Sequence, residues 1–131
     1  MSKILNRDNF FLISFFLIIF LIGLNIFSHY GISIDEDNSR TNGLVSLNYI
    51  IEILNLDPFE KLKSLNLPQI HEYPEQGNGV IFDLPLSFFE LIFNIDNSRD
   101  IFLYRHLFTF LIFFVSLIYF YFILKDRFKS Y

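Results

Sequence analysis

From Asn9 to Ile34 the chain carries no charged side chain for 26 residues, and between Phe10 and Leu24 only Ser14 and Gly23 interrupt an apolar run. A bilayer core about 30 Å thick needs roughly 20 helical residues, so this run is long enough to cross one. A second run, Leu107 to Leu124, holds 18 residues broken only by Thr109, Ser116 and tyrosine. At ~1.5 Å per residue it measures about 27 Å, and Phe102–Tyr104 can extend it. The composition points the same way. Charged residues make up 18% of the 131, and 19 residues are phenylalanine, whereas an average soluble domain is about 25% charged.

Lys3 and Arg7 ahead of the first run would also suit a signal peptide. A signal's apolar region, however, is about 7–15 residues long and ends at small residues. The chain contains no alanine with which to build such a site. An uncleaved anchor is the expectation. Orientation follows lysine and arginine next to the spans. Lys3 and Arg7 flank the first, and Lys125, Arg127 and Lys129 follow the second, whereas residues 31–105 hold twelve acidic and five basic residues. Both termini are therefore expected in the cytoplasm. His29, Tyr30 and Tyr104 would stand at the outer interface and Tyr119 and Tyr121 nearer the inner one, as aromatic belts do.

The expected fold class is an all-α membrane protein. Basic cytoplasmic flanks, 1–9 and 125–131, enclose two transmembrane helices, 10–30 and 105–124, joined by an outward-facing loop, 31–104. In that loop Gly31–Ser39 reads as a polar turn. Leu44, Leu47, Ile50, Ile51 and Leu54 then recur at three- and four-residue steps, which predicts an amphipathic helix at about 39–56, ended by Asp57–Pro58. A short helix over Phe59–Leu65 and a loop over His71–Gly79 follow. Asp83 can cap a second amphipathic helix at about 84–95, with Leu84, Phe88, Leu91, Ile92 and Ile95 on one face. Such a helix lies in the membrane surface or packs on further helices. Asn97 with Asp100 resembles a capping box, from which a helix can run unbroken into the second span.

The absence of cysteine removes disulfides, thiolate metal sites and a cysteine nucleophile. A net charge of −4 and a pI near 5.2 exclude nucleic acid as an expected partner, which needs a basic face. The sharpest chemical feature is Asp35-Glu36-Asp37, directly after the first span. Adjacent carboxylates repel unless a cation or donor compensates, so the group suits a general base or a divalent-cation ligand. On pattern alone the favoured reading is a solvated acidic turn capping the helix that follows. Arg105-His106, at the outer end of the second span, can hold a lipid phosphate, or Arg105 can simply snorkel to the headgroups. Arg40 either neutralises the acidic turn or joins a substrate-binding set. His71, Glu72 and Glu75 lack the helical spacing of a zinc motif, and Pro74 breaks a helix there. No phosphate loop, dinucleotide fingerprint or serine-nucleophile motif occurs.

The segments GISIDEDNSRTNGLVSLNYI (Gly31–Ile50), YPEQGNGVIFDLPLSFFELI (Tyr73–Ile92) and RDIFLYRHLFTFLIFF (Arg99–Phe114), in this order around two spans, resemble the amino-terminal end of GT-C glycosyltransferases. More narrowly, the layout is similar to family-39-like bacterial membrane proteins, the group of protein O-mannosyltransferases and aminoarabinose transferases. The resemblance implies a polyprenyl-phosphate-linked sugar as donor and a site on the outer, periplasmic face of the inner membrane. It implies Asp35 or Glu36 as the catalytic acid of the first outer loop, acting as base or, at Asp35, as ligand of a divalent metal cation. It further implies Asp83-Leu84-Pro85-Leu86 as a substrate-side motif, with Arg105 and His106, and Arg40 beside them, as substrate-binding groups. No other cofactor is implied. Such enzymes have many spans, whereas this chain has two. The expectation is therefore an amino-terminal fragment or a subunit of a split transferase, inactive alone, with membrane lipid, the lipid-linked sugar and the remaining helices as partners. The alternative is a non-catalytic two-span protein whose outer loop binds a partner or the membrane surface. A small transporter is a weaker option, because no charge inside either span marks an ion path.

Overall fold

The computed structural model describes residues 7–75 and 79–128 of the chain. Among the described residues the protein is all helical, with no strand. The order is α1 (Arg7–Ile26), a 3-10 turn (Phe27–His29), α2 (Ile34–Ile53), α3 (Glu60–Ser64), a 3-10 turn (Ile70–Glu72), α4 (Asp83–Ile92) and α5 (Ser98–Phe128). The chain divides into two compact units, Met1–Tyr30 with Leu103–Tyr131, and Gly31–Phe102.

In the first unit, α1 with its 3-10 extension and α5 are each long and apolar enough to cross a membrane, over Asn9–His29 and Ser98–Phe128. Only 6% and 0% of their most apolar stretches are buried, which sets them apart from core helices of a soluble domain. They meet through rings. Phe16 packs edge-on against Phe114 and Tyr121, and Phe20 packs against Phe110 and Phe114 at 5.0–6.0 Å between centroids. Gly23 allows the contact to be this close, because a Cβ there would collide with the Phe110 ring. Lys125 and Arg127, read from sequence as part of a tail, lie in the last turn of α5. There their charge opposes the negative end of the helix dipole. The flanking residues 1–6 and 129–131 fall outside the described part.

The second unit is built on α2 and α4. Its core is Leu44, Leu47 and Ile51 of α2, Leu62 of α3 and Leu91 of α4, with Phe59, Leu65 and Leu67 packed around them. Gly43 brings the helices together, since a Cβ on it would strike Ser87 Oγ and come within 2.6 Å of the Asp83 carbonyl oxygen. Both helices end in the same device. The Leu56 and Asn55 amides donate to Ile51 and Glu52, and the Ile95 and Asn94 amides donate to Glu90 and Leu91, at 3.0–3.2 Å. Asn55 and Asn94 take φ of 50° and 49°, the left-handed residue of a Schellman motif, for which asparagine is the usual substitute for glycine. These stops end α2 and α4 at residues 53 and 92, three residues short of the limits drawn from Asp57–Pro58 and from the apolar period. At the start of α5, Asn97 Oδ1 accepts from the Arg99 amide at 3.0 Å, a side-chain N-cap.

Three local readings change. Gly31–Ser39 is not a turn throughout, because α2 already begins at Ile34. Asp83 does not cap α4 from outside: Phe82 holds the cap position and Asp83 is the first helical residue. On α4 the buried positions are Leu86, Ser87, Glu90 and Leu91, whereas Phe88 and Ile92 are 39% and 48% exposed. In a helix apolar on nearly every side, the tighter contact decides the face, and here it is the Gly43–Ser87 approach.

Candidate functional site

Asp35, Glu36 and Asp37 form the first turn of α2, four residues beyond the 3-10 turn that closes the first apolar helix. Negative side chains there offset the partial positive charge of a helix start, so the fold gives the triad a helical frame. The three acids are not equivalent. Asp35 and Asp37 are exposed, whereas Glu36 is half-buried and its Oε2 is out of solvent. Glu36 stands one turn before Arg40, on the face that continues through Gly43 and Leu47 into the core.

Two side-chain latches hold that stretch of helix. Arg40 grips Glu90 of α4 with Nε at 3.2 and 3.0 Å from Oε1 and Oε2, and Nη2 at 2.7 Å from Oε1. Glu90 is 0% exposed. Lys61 Nζ also lies 3.7 Å from Oε1, donates to the Ile95 carbonyl and pairs with Asp96 at 3.2 Å. The hydrogen bond to Glu90 raises the Arg40 pKa further above its ordinary value against the pull of burial, with the Glu90 and Asp37 charges adding to it. The second latch is Tyr73, whose hydroxyl donates to the Asn38 carbonyl at 3.2 Å. Burial pushes the Tyr73 phenol up, and the carboxylates of Glu75, Asp37 and Asp83 push the same way. The structure thus brings Asp37 and Asp83, from two separate sequence motifs, to the surroundings of one tyrosine.

The remaining sequence-derived residues lie elsewhere. Arg105 and His106 belong to the first unit, near the start of its stretch of α5, and are 5% and 8% exposed. His106 stands edge-on to Tyr30 at 5.7 Å between ring centroids. Thr109 Oγ1 donates to the Arg105 carbonyl at 2.9 Å. His71 packs against the Tyr49 ring at 5.8 Å. Among the described residues no three of His, Asp and Glu converge as metal ligands. No family model, curated protein or solved structure matches this chain.

Sequence reasoning did not single out Glu90, Lys61 or Tyr73. One signal was present: Glu90 is the lone charge inside LPLSFFELI. A single carboxylate in an apolar run is either at the surface or paired, and Arg40 was the cation awaiting it.

Proposed function

We propose that the chain is the amino-terminal part, or a subunit, of an integral-membrane glycosyltransferase that takes its sugar from a polyprenyl phosphate. One observation carries this reading. Three carboxylates sit on the first turn of a helix that starts just after an apolar span, and that helix is pinned at Asn38, Arg40 and Gly43. A rigid element can hold a base within the tolerance that group transfer requires. Asp35, exposed, is the base or the ligand of a divalent cation, and Glu36 beside it orients or shares that task. Arg105 and His106, on an apolar helix, supply hydrogen-bond donors suited to a lipid phosphate, with the Arg105 guanidinium carrying the charge. Asp83 lines the substrate side. Two apolar helices cannot enclose a lipid phosphate and an acceptor away from water, so further helices complete the site. Both termini are cytoplasmic, and the Gly31–Phe102 unit faces outward from the inner membrane.

Membrane vesicles from cells carrying the gene at its natural locus test this. They are supplied with polyprenyl-phosphate mannose or polyprenyl-phosphate aminoarabinose, labelled in the sugar. Gene-dependent transfer of label is expected from one donor, and Asp35→Asn should lower it by about 10²–10⁴-fold, the usual contribution of a general base. Wild-type transfer by Asp35→Asn and by Glu36→Gln, or no transfer that depends on the gene, overturns the reading. A second reading, a non-catalytic protein whose outer unit binds a partner or the membrane surface, is favoured by Ile53, Leu54 and Phe93, exposed at the ends of α2 and α4. It expects Asp35→Asn to be silent and Phe93→Asp to release the partner.

A further inference from the structure

We propose that Glu90 is a positioning residue for sugar transfer, acting through Arg40 on the carboxylates at the start of α2; this rests on the reading of those carboxylates given above. Glu90 is wholly buried, so it does not meet substrate. Asp83, Ser87 and Glu90 stand at i, i+4 and i+7 on α4, one continuous face. Opposite them, Gly43 touches Ser87 and the Asp83 backbone. The Gly43 contact and the packing of Leu44, Leu47 and Ile51 fix α2 from Gly43 onward. The Arg40–Glu90 pair, one turn nearer the acids, adds a directional hold there, because both carboxylate oxygens and two guanidinium nitrogens are engaged. Lys61 approaches the same Oε1 and ties it to the Ile95 carbonyl just past the end of α4. Arg40 is thereby a strut between two helices, and the orientation it imposes passes along one turn and a half of α2 to Asp35.

The vesicle assay separates this from direct substrate contact. Glu90→Gln and the apolar pair Arg40→Met with Glu90→Leu should each lower kcat by about 10- to 100-fold, the scale of a 1 Å misplacement, with donor KM unchanged. Glu90→Asp, which keeps the charge, should recover part of the loss. The apolar pair guards against misfolding, since replacing both members of a buried ion pair is often neutral for stability; its protease resistance should equal wild type. Wild-type kcat in the folded apolar pair, while Asp35→Asn is inactive, overturns the positioning role and leaves the transferase reading standing. A raised donor KM with unchanged kcat in Arg40→Met alone makes Arg40 a donor ligand and likewise overturns it. Full activity in Asp35→Asn and Glu36→Gln as well removes both.

Discussion

The two units use the same apolar residues in opposite ways. In the unit of α1 and α5 most large side chains face outward, among them Phe11, Ile13, Phe113 and Val115, and contact between the helices is a seam of rings over one glycine. In the unit of α2 to α4 a set of leucines and one isoleucine, Leu44, Leu47, Ile51, Leu62 and Leu91, turn inward, and beside them lies a buried carboxylate with two cations. The first arrangement is stable only where the surrounding solvent is itself apolar. The second makes its own interior. A unit that excludes water has to specify its helix angles, and it does so with charge as well as with shape.

The sharpest way to break this contrast is to leave one buried charge without its partner. Glu90→Leu alone strands Arg40, and such a loss costs about 3–5 kcal/mol, whereas Lys61 keeps Asp96 and the Ile95 carbonyl. Equilibrium unfolding followed by hydrogen exchange over residues 31–102 in lipid nanodiscs should show it. Arg40→Met together with Glu90→Leu should return most of that stability. If the single variant is as stable as wild type, the pair does not hold the unit together. The reverse experiment targets the outward-facing helices. Phe16→Asp should add about 2.5–3.5 kcal/mol to insertion of α1 into a bilayer, read as the fraction of chains resistant to carbonate extraction. Leu44→Asp should instead unfold the second unit and leave insertion intact. Equal effects of the two on insertion would erase the distinction between the units.

These particulars mark how much was legible in the sequence. The apolar spans were, because about twenty uncharged residues in a row admit few alternatives. Helix limits within the second unit were not. The stops at residues 53 and 92 are made by Asn55 and Asn94 in left-handed conformation, and asparagine carries that signal weakly beside the prolines and apolar periods that compete with it. The buried face of α4 was also illegible, since DLPLSFFELI is apolar on nearly every side and Gly43 on a distant segment selects Ser87. Of the candidate residues, the acids of one unit and Arg105-His106 of the other stood out as charge next to apolar runs. Glu90 did not, because its meaning depends on Arg40, fifty residues away.

Smaller effects refine the comparison at its two glycines. Gly43 faces backbone as well as side chain, so Gly43→Val cannot be absorbed by a ring swinging aside. It should cost about 1–3 kcal/mol, the range for overpacking a tight contact. The nearest atoms to Gly23 are those of the Phe110 ring, a side chain that can rotate away into the apolar surroundings. Gly23→Ala should therefore cost clearly less than Gly43→Val, on a helix that also gains from losing a glycine. Pairwise thermal denaturation in the same detergent would rank them, and the opposite order would mean that the ring seam is the more rigid contact.

The smallest effect is expected at Tyr73, and it carries a sign. Tyr73→Phe removes the hydrogen bond to the Asn38 carbonyl, a loss of about 0.5–1.5 kcal/mol. Its phenol is held above the ordinary value of 10.0 by burial first, then by Glu75, Asp37 and Asp83. Below pH 10 both the folded and the unfolded chain keep the proton, so this group makes stability independent of pH there. Above it the unfolded chain loses the proton first, and stability falls until the pH passes the raised native value. Unfolding free energy measured across the alkaline range should therefore drop more steeply for wild type than for Tyr73→Phe, with tyrosinate absorbance following the same step. Identical slopes would place Tyr73 in water, and with it the latch that holds the start of α2.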